Sequence, residues 1–240
     1  LNKKFIVDNL NLKVSYNEYQ AFKRFKCKLK EEIVTMGVEH INPIKDKGKY
    51  VEPTDWNSFI DDPETLVIDT RNDYEIEIGT FKGSINPKTN CFRDFPKWVD
   101  KYLQSIIESN KYKKIAMFCT GGIRCEKATS YLKKVGFSDI HHLNGGILRY
   151  LSEVDKEESL WQGECFVFDQ RVALNNNLLP GEYLLCYACG MPVSENDRVK
   201  SSYIRGVQCH YCQDIFTDQD RLRFQERQDH FDRIQVKEIN

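Results

Sequence analysis

The sequence predicts an α/β fold in which a parallel sheet is covered by helices. Three observations predict it. Between residues 65 and 154, short apolar runs alternate with longer stretches of helical period. Glycine pairs, Gly121-Gly122 and Gly145-Gly146, stand where such runs hand over to helices. A cysteine, Cys119, sits at the carboxyl end of one run, where open α/β sheets hold their ligands. Strands separated by helices pair in parallel and are buried on both faces.

The elements follow in order. Residues 1–36 read as strand material. Phe25, Cys27 and Leu29 alternate with Arg24, Lys26, Lys28 and Lys30, which gives a strand one apolar and one basic face. That basic face is either a solvated edge guarded by lysine or a nucleic-acid contact. Residues 37–53 carry Gly, Pro and mixed charge and read as a linker. Thr54 is placed to cap a short helix, with Asp55 in its first turn. A strand over 65–69, a helix over about 73–78 and a turn through Gly79 and Gly83 follow. Next come a helix over 94–109, a strand over Lys114–Phe118 and a helix from about Glu126 to 135. The last of these has Ala128, Tyr131, Leu132 and Val135 on one face. A strand over 139–143 and a helix over 146–154 close the alternation. The domain over 54–158 thus precedes a distinct C-terminal region, 159–240. In that region Trp161 to Val172 bridges, and Cys165-Phe166-Val167-Phe168 is strand-like. From Asp220 a helix begins, whose Arg221, Arg223, Arg227 and Arg233 alternate with acids as on a solvated face. Cys27, Cys91 and Cys165 have no partner spacing and read as core residues.

Composition bounds the function. The 240 residues are 40% hydrophobic and 30% charged with a net charge of −1, so no global field recruits a polyanion, and any such binding must use local patches. No apolar run approaches the length of a membrane span, which points to a cytoplasmic protein. Nine cysteines are too few for a secreted disulfide scaffold of this length, and their clustering suits catalysis and metal binding in a reducing compartment. The chain starts at Leu1 rather than Met, which leaves room for residues upstream.

The loop Cys119-Thr120-Gly121-Gly122-Ile123-Arg124 is built for a sulfur anion. Amide groups converge at a helix N-terminus and its dipole favours the thiolate. The glycines let the backbone curl around the sulfur, and Arg124 adds a fixed positive charge. Cys125 follows directly, either as a thiol that resolves an oxidised Cys119 or as a small helix-facing residue. Four residues separate Cys119 from Arg124, one fewer than in a tyrosine-phosphatase loop, so the ring suits one extra sulfur better than a phosphate.

Cys186-x-x-Cys189 and Cys209-x-x-Cys212, separated by 19 residues, have the spacing of a structural zinc site. Each pair forms a knuckle, and four protein thiolates leave no position for water.

The loop of this length resembles that of the rhodanese (sulfurtransferase) family. So do Leu66 to Glu75 with Gly79 and Phe81-Lys82-Gly83-Ser84-Ile85-Asn86, where Asp69 and Arg71 end a buried strand. His142-Leu143-Asn144-Gly145-Gly146-Ile147-Leu148 resembles the closing rhodanese signature. Thr80 stands where the family usually has His. With Phe118 to Ala128, Cys165 to Arg171 and the paired C-x-x-C motifs, the chain more narrowly resembles the rhodanese-type tRNA uridine hydroxylases. That resemblance implies tRNA as partner, molecular oxygen as co-substrate, and conversion of wobble uridine 34 to 5-hydroxyuridine. It places the catalytic role on Cys119, with Cys125 and Arg124 in the same motif, and reads 1–36 as the last part of a ferredoxin-like domain that could carry tRNA contacts. Two other functions fit the same residues: sulfur transfer from thiosulfate or a persulfide, and a non-catalytic zinc-bearing module that binds RNA or a partner.

Overall fold

The computed structural model describes residues 17, 20–22 and 26–239, with side chains up to residue 234. After helix α1 (Pro43–Asp46), a four-stranded parallel sheet forms from β1 (Lys49–Val51), β2 (Thr65–Asp69), β4 (Lys114–Phe118) and β5 (Ile140–Leu143), in the order β1-β5-β4-β2. Helices α2 (Pro53–Ile60) and α3 (Asp73–Ile76) flank β2, and β3 (Gly79–Phe81) follows.

The apolar runs of the strands divide between two cores, because successive side chains point to opposite faces. Leu66, Ile68, Ile115 and Met117 pack with Phe95 and Leu103 of the segment over 92–110 and with Ala128 and Leu132 of α6 (Ile123–Lys134). Val67, Ala116 and Phe118 pack with Trp56 of α2 and with Ile147 and Tyr150 of α7 (Gly146–Glu153). Both faces are covered, as the continuous hydrophobic character of the strands predicts.

Four local differences from the sequence reading have simple causes. Lys49–Val51, read within a linker, is the edge strand beside β5; three residues are too few to show a period. Helix α2 starts one residue before Thr54, with Pro53 in its first turn and Glu52 as cap, since proline is pre-set for that position. The helix expected over 94–109 is a composite: a 3₁₀ turn at Phe92–Asp94, α4 (Phe95–Trp98), a π turn at Val99–Leu103, and α5 (Gln104–Asn110). Residues 26–30 are not in a strand, and Leu29 and Cys27 are exposed rather than facing a core; Arg24 and Phe25 lie outside the described residues. Cys91 is exposed too, while Cys165 is fully buried as expected. The chain rejoins the domain just after this exposed run. Lys127 of α6 pairs with Glu32 and donates to the Val34 carbonyl at 2.6 Å, and Met36 is buried in the first core.

Beyond α7 the chain returns as β6 (Trp161–Gly163), antiparallel to β3, and then as the hairpin of β7 (Cys165–Phe166) and β8 (Ala173–Leu174). The last module pairs β9 (Leu184–Leu185) with β10 (Pro192–Val193), then runs through α8 (Glu195–Arg198) to the long helix α9 (Asp218–Ile239). Its own core is Val193 with Cys186, Cys209 and Cys212. Arg221 and Arg223 of α9 pair with Asp218 and Asp220, as a solvated face requires, but Arg227 donates to the carbonyls of Tyr187 and Gly206 and holds the module to the helix. No helix among the described residues is long and apolar enough to cross a membrane.

Candidate active site and metal centre

Helix α6 begins at Ile123, closer to Cys119 than the sequence suggests, with Gly122 as its cap at φ +91°. The Gly122 amide donates to the Cys119 sulfur at 3.1 Å. Residues with a side chain rarely adopt that backbone conformation, so glycine is needed to turn the amide onto the sulfur. The second glycine pair supports the loop from outside. The amides of Ile147 and Leu148 donate to the carbonyls of Cys119 and Thr120 at 3.0 and 3.1 Å. A Cβ on Gly146 would lie 2.4 Å from the Cys119 carbonyl oxygen. The closing motif is thus a backbone clamp on the reactive loop.

Burial opposes the Cys119 thiolate. A hydrogen bond from Cys125, the charge of Arg124 and the amides of Cys125 and Gly122 outweigh it, bringing the thiol down to about 6. Burial, the hydrogen bond to Cys119 and the charge there push Cys125 well above the ordinary thiol range. The pair therefore shares one negative charge, carried on Cys119. Cys125 is fully buried, 3.5 Å from the Thr70 hydroxyl. It faces Cys119 from within the helix and does not line the open cavity.

Arg124 is held by Glu75, which closes the stretch from Leu66 to Glu75 and carries no role in the site from sequence alone. Both of its terminal nitrogens donate to the Glu75 carboxylate, at 2.6 and 2.8 Å, and one also donates to the Thr120 hydroxyl at 3.3 Å. Burial works against the Arg124 charge, but Glu75 outweighs it and the guanidinium stays protonated. Glu75 is fully buried at the start of α3, in a capping box with Asn72. The Asn72-x-x-Glu75 spacing is readable in sequence as a cap; its ion pair with a residue far along the chain is not.

Asp69 and Arg71 form a second buried pair with a 2.6 Å contact, and both are fully buried. Arg71 also donates to the carbonyls of Glu75 and Gly79, at 3.1 and 2.6 Å. These residues make no hydrogen bond to Cys119. They tie β2 to α3 and β3 and so set the position of Glu75.

We expect Glu75→Gln to lower the unfolding free energy by about 3 kcal/mol, because it breaks a buried pair and leaves Arg124 without a counter-charge. The same change should move the Cys119 midpoint below about 6, since a negative charge leaves the neighbourhood of the thiolate. Thermal unfolding and alkylation rate against pH measure the two effects. An unchanged Tm, or a midpoint that rises, would contradict this account.

Above the loop lies a cavity of about 340 Å³, lined by Cys119, Thr120, Gly121, Ile123 and Arg124 from the loop and by Asn72, Phe92, Val34 and Phe168. That is within the usual size range of small-ligand sites, roughly 300–1,000 Å³. Lys26, Lys28 and Lys30 are exposed on the segment leading to Val34, and none of them lines the cavity.

The four cysteines of the C-x-x-C pairs converge. Their sulfurs all lie within 4.8 Å of one another and could hold a metal ion. His210, inside the second knuckle, faces Asp197 at 3.5 Å and is outside that group.

A parallel sheet with a strand-end cysteine loop, a buried arginine behind it and a glycine clamp over it defines a rhodanese-like thiol protein, and residues 52–153 match the Rhodanese-like domain. Over 225 residues the chain is 61% identical to the tRNA uridine(34) hydroxylase of a Prochlorococcus marinus strain, covering 94% of this chain and 70% of that protein. The protein of the same name from Synechococcus sp. (strain CC9605) is 57% identical over 229 residues, 95% of this chain and 70% of that one. The chain belongs to the tRNA uridine(34) hydroxylase family.

Proposed function

We propose that this protein is an enzyme that hydroxylates wobble uridine 34 of tRNA to 5-hydroxyuridine, with molecular oxygen as the oxidant and Cys119 as the nucleophile. The observation that carries the reading is the Cys119 sulfur, held by the Gly122 amide beside Arg124 and lining a cavity of about 340 Å³, in a chain 61% identical to a protein of that name. The Cys119 thiolate adds to C6 of uracil, and C5 attacks molecular oxygen to give a C5 hydroperoxide. A thiol reductant takes this to the C5 hydroxyl and water with formation of a disulfide, and loss of the C5 proton together with the Cys119 thiolate restores the ring. Alternatively, a persulfide or peroxidic sulfur species formed on Cys119 with molecular oxygen delivers the oxygen atom. Both routes need a sulfur that is anionic at neutral pH. Arg124 and the Gly122 amide hold the charge that develops. Cys125, kept protonated, stands as the local donor to the sulfur.

The C-terminal cysteines fit zinc. Four sulfurs at about 2.3 Å from an ion at the centre of a tetrahedron stand about 3.8 Å apart. Three of the six separations here are 3.9 Å for Cys186–Cys212, 3.7 Å for Cys189–Cys209 and 3.8 Å for Cys209–Cys212, and all six lie within 4.8 Å. All four positions come from protein, so the ion's role is structural.

Mass spectrometry of tRNA nucleosides tests the activity. Uridine 34 should gain one oxygen in the presence of the protein and oxygen. Sulfur transfer to an acceptor thiol without change in the tRNA would replace this reading with that of a sulfurtransferase. Lack of both activities, with RNA binding retained, would make the protein a binding module.

The exposed lysines give a second test. Replacing Arg24, Lys26, Lys28 and Lys30 with Gln should weaken tRNA binding and flatten its salt dependence by roughly one unit of slope per lost phosphate contact. An unchanged slope would return Lys26, Lys28 and Lys30 to plain solvent exposure.

A further inference from the structure

Beside the catalytic cavity lies a second one, of about 480 Å³, lined by Phe22, Tyr74, Phe166, Phe168, Gln170 and Tyr187 among others. Phe168 is the residue that lines both cavities. Its ring is 64% exposed, unusually open for a large aromatic side chain with a buried neighbour on each side of the hairpin. On the catalytic side it lies 5.9 Å from the Arg124 guanidinium. Its edge is braced by Phe166, with ring centres 5.1 Å apart at 81°.

The turn carrying Phe168 is fixed before anything binds. The Val167 amide donates to the Val172 carbonyl at 2.8 Å, and Asp169 pairs with Arg171 at 2.6 Å, both largely buried. Val172 sits at φ +65°, a costly conformation for a β-branched residue that surrounding contacts must enforce. Tyr187, 58% exposed, faces the second cavity from between two of the metal-site cysteines, Cys186 and Cys189.

The second cavity suits a flat uncharged group. Its lining is mainly aromatic and aliphatic, and the charged residue in it is Asp169, already engaged by Arg171. Among the described lining residues a phosphate would meet a carboxylate and no cation. A nucleobase would meet faces to stack on and, at Gln170 and Tyr74, groups for its polar edge.

We propose that Phe168 is a wedge between two consecutive bases of the anticodon loop: the target uracil over Cys119 on one side, an adjacent base in the aromatic groove on the other. The proposal rests on the tRNA reading above and makes Phe168 a positioning residue. A base can be modified only when it is unstacked from its neighbours, and RNA loops are recognised through splayed bases stacked on aromatic side chains. Apolar wedges inserted at a base step produce that separation. Continuity of the two cavities through one exposed ring supplies the geometry.

A double-mutant cycle tests it. One partner is Phe168→Ala, with Phe168→Trp and Phe168→Leu as controls. The other is an abasic nucleotide at position 33 or at position 35 of a tRNA anticodon stem-loop, with binding to the full chain measured directly. Phe168→Ala should weaken binding roughly fivefold to a hundredfold, the value of one base stack. Phe168→Trp should restore it and Phe168→Leu should not, because the flat face matters rather than the volume. At one of the two positions the abasic change should weaken wild type by a similar factor and add nothing to Phe168→Ala. The alkylation midpoint of Cys119 and the Tm should stay at wild-type values. Fully additive effects at both positions, or rescue by Leu as good as by Trp, would overturn the wedge while leaving the hydroxylase reading intact. Wild-type protein that neither binds nor modifies tRNA would overturn both.

Discussion

Replacing Cys119 with serine should lower tRNA hydroxylation by at least about a thousandfold, as expected for loss of a nucleophile, with little change in Tm. The two side chains differ by one atom, and the loop is held by backbone hydrogen bonds from Ile147 and Leu148 to the carbonyls of Cys119 and Thr120, which the change leaves alone. What disappears is the anion. The loop brings a thiol down to about 6, whereas a hydroxyl starts too high for the same amides and guanidinium to ionise it. The pH dependence follows with a definite sign. The thiolate is the reactive form and exists above its midpoint, so alkylation of Cys119 should rise with pH through about 6 and be flat by neutrality. A midpoint in the ordinary thiol range, or wild-type 5-hydroxyuridine in a deletion strain complemented with Cys119→Ser, would remove Cys119 from the mechanism. Cys125→Ser should cost less, because serine still donates to the Cys119 sulfur. Equal loss in both mutants would make Cys125 a second reacting thiol.

The parts of this site that were legible in sequence are local. Cys119, Gly122 and Arg124 are neighbours along the chain, and a strand–loop–helix junction fixes how they face each other. The sheet was legible for a similar reason: runs such as Leu66-Val67-Ile68 and Ile115-Ala116-Met117 are buried on both faces and carry a continuous apolar signal. Tertiary partners were not legible. Glu75 looks like a solvated residue in the first turn of a helix, and only the fold brings Arg124 to it. Tyr50 of β1 donates to Glu126 at 2.6 Å and its ring lies tilted against that of the buried His142, centres 4.4 Å apart, yet Lys-Tyr-Val between two polar stretches gives no period to read. The opposite error occurred at Cys27 and Leu29. Alternation is a strand signal only where a neighbouring strand takes up the backbone groups, and there Leu29 is fully exposed. Cys91 failed likewise: cysteine is often buried, but this one sits exposed on the 3₁₀ turn beside Asp94.

Removing the metal should undo one module and spare the other. The segment from 186 to about 216 has little apolar mass of its own. Val193 and Val207 are its buried aliphatic side chains, and the rest of its centre is Cys186, Cys209 and Cys212, with Tyr203 and Phe216 half-buried around them. Without an ion to bind four sulfurs, that centre has too little hydrophobic burial to offset chain entropy. The parallel-sheet domain has two large cores and needs no such help. Chelation should therefore abolish hydrogen-exchange protection over 186–216, while β2, β4 and β5 stay protected and Cys119 still titrates near 6. The module touches the catalytic domain through the Tyr211 hydroxyl on Glu77 at 2.9 Å and presents Tyr187 to the aromatic groove. Its loss should consequently raise KM for tRNA several-fold more than it lowers kcat. As isolated, the protein should hold one zinc per chain with four sulfur ligands at about 2.3 Å. Zinc-free protein purified without chelator, Cys186–Cys189 and Cys209–Cys212 disulfides in reducing buffer, or collapse of the sheet domain together with the module would each contradict this division of labour.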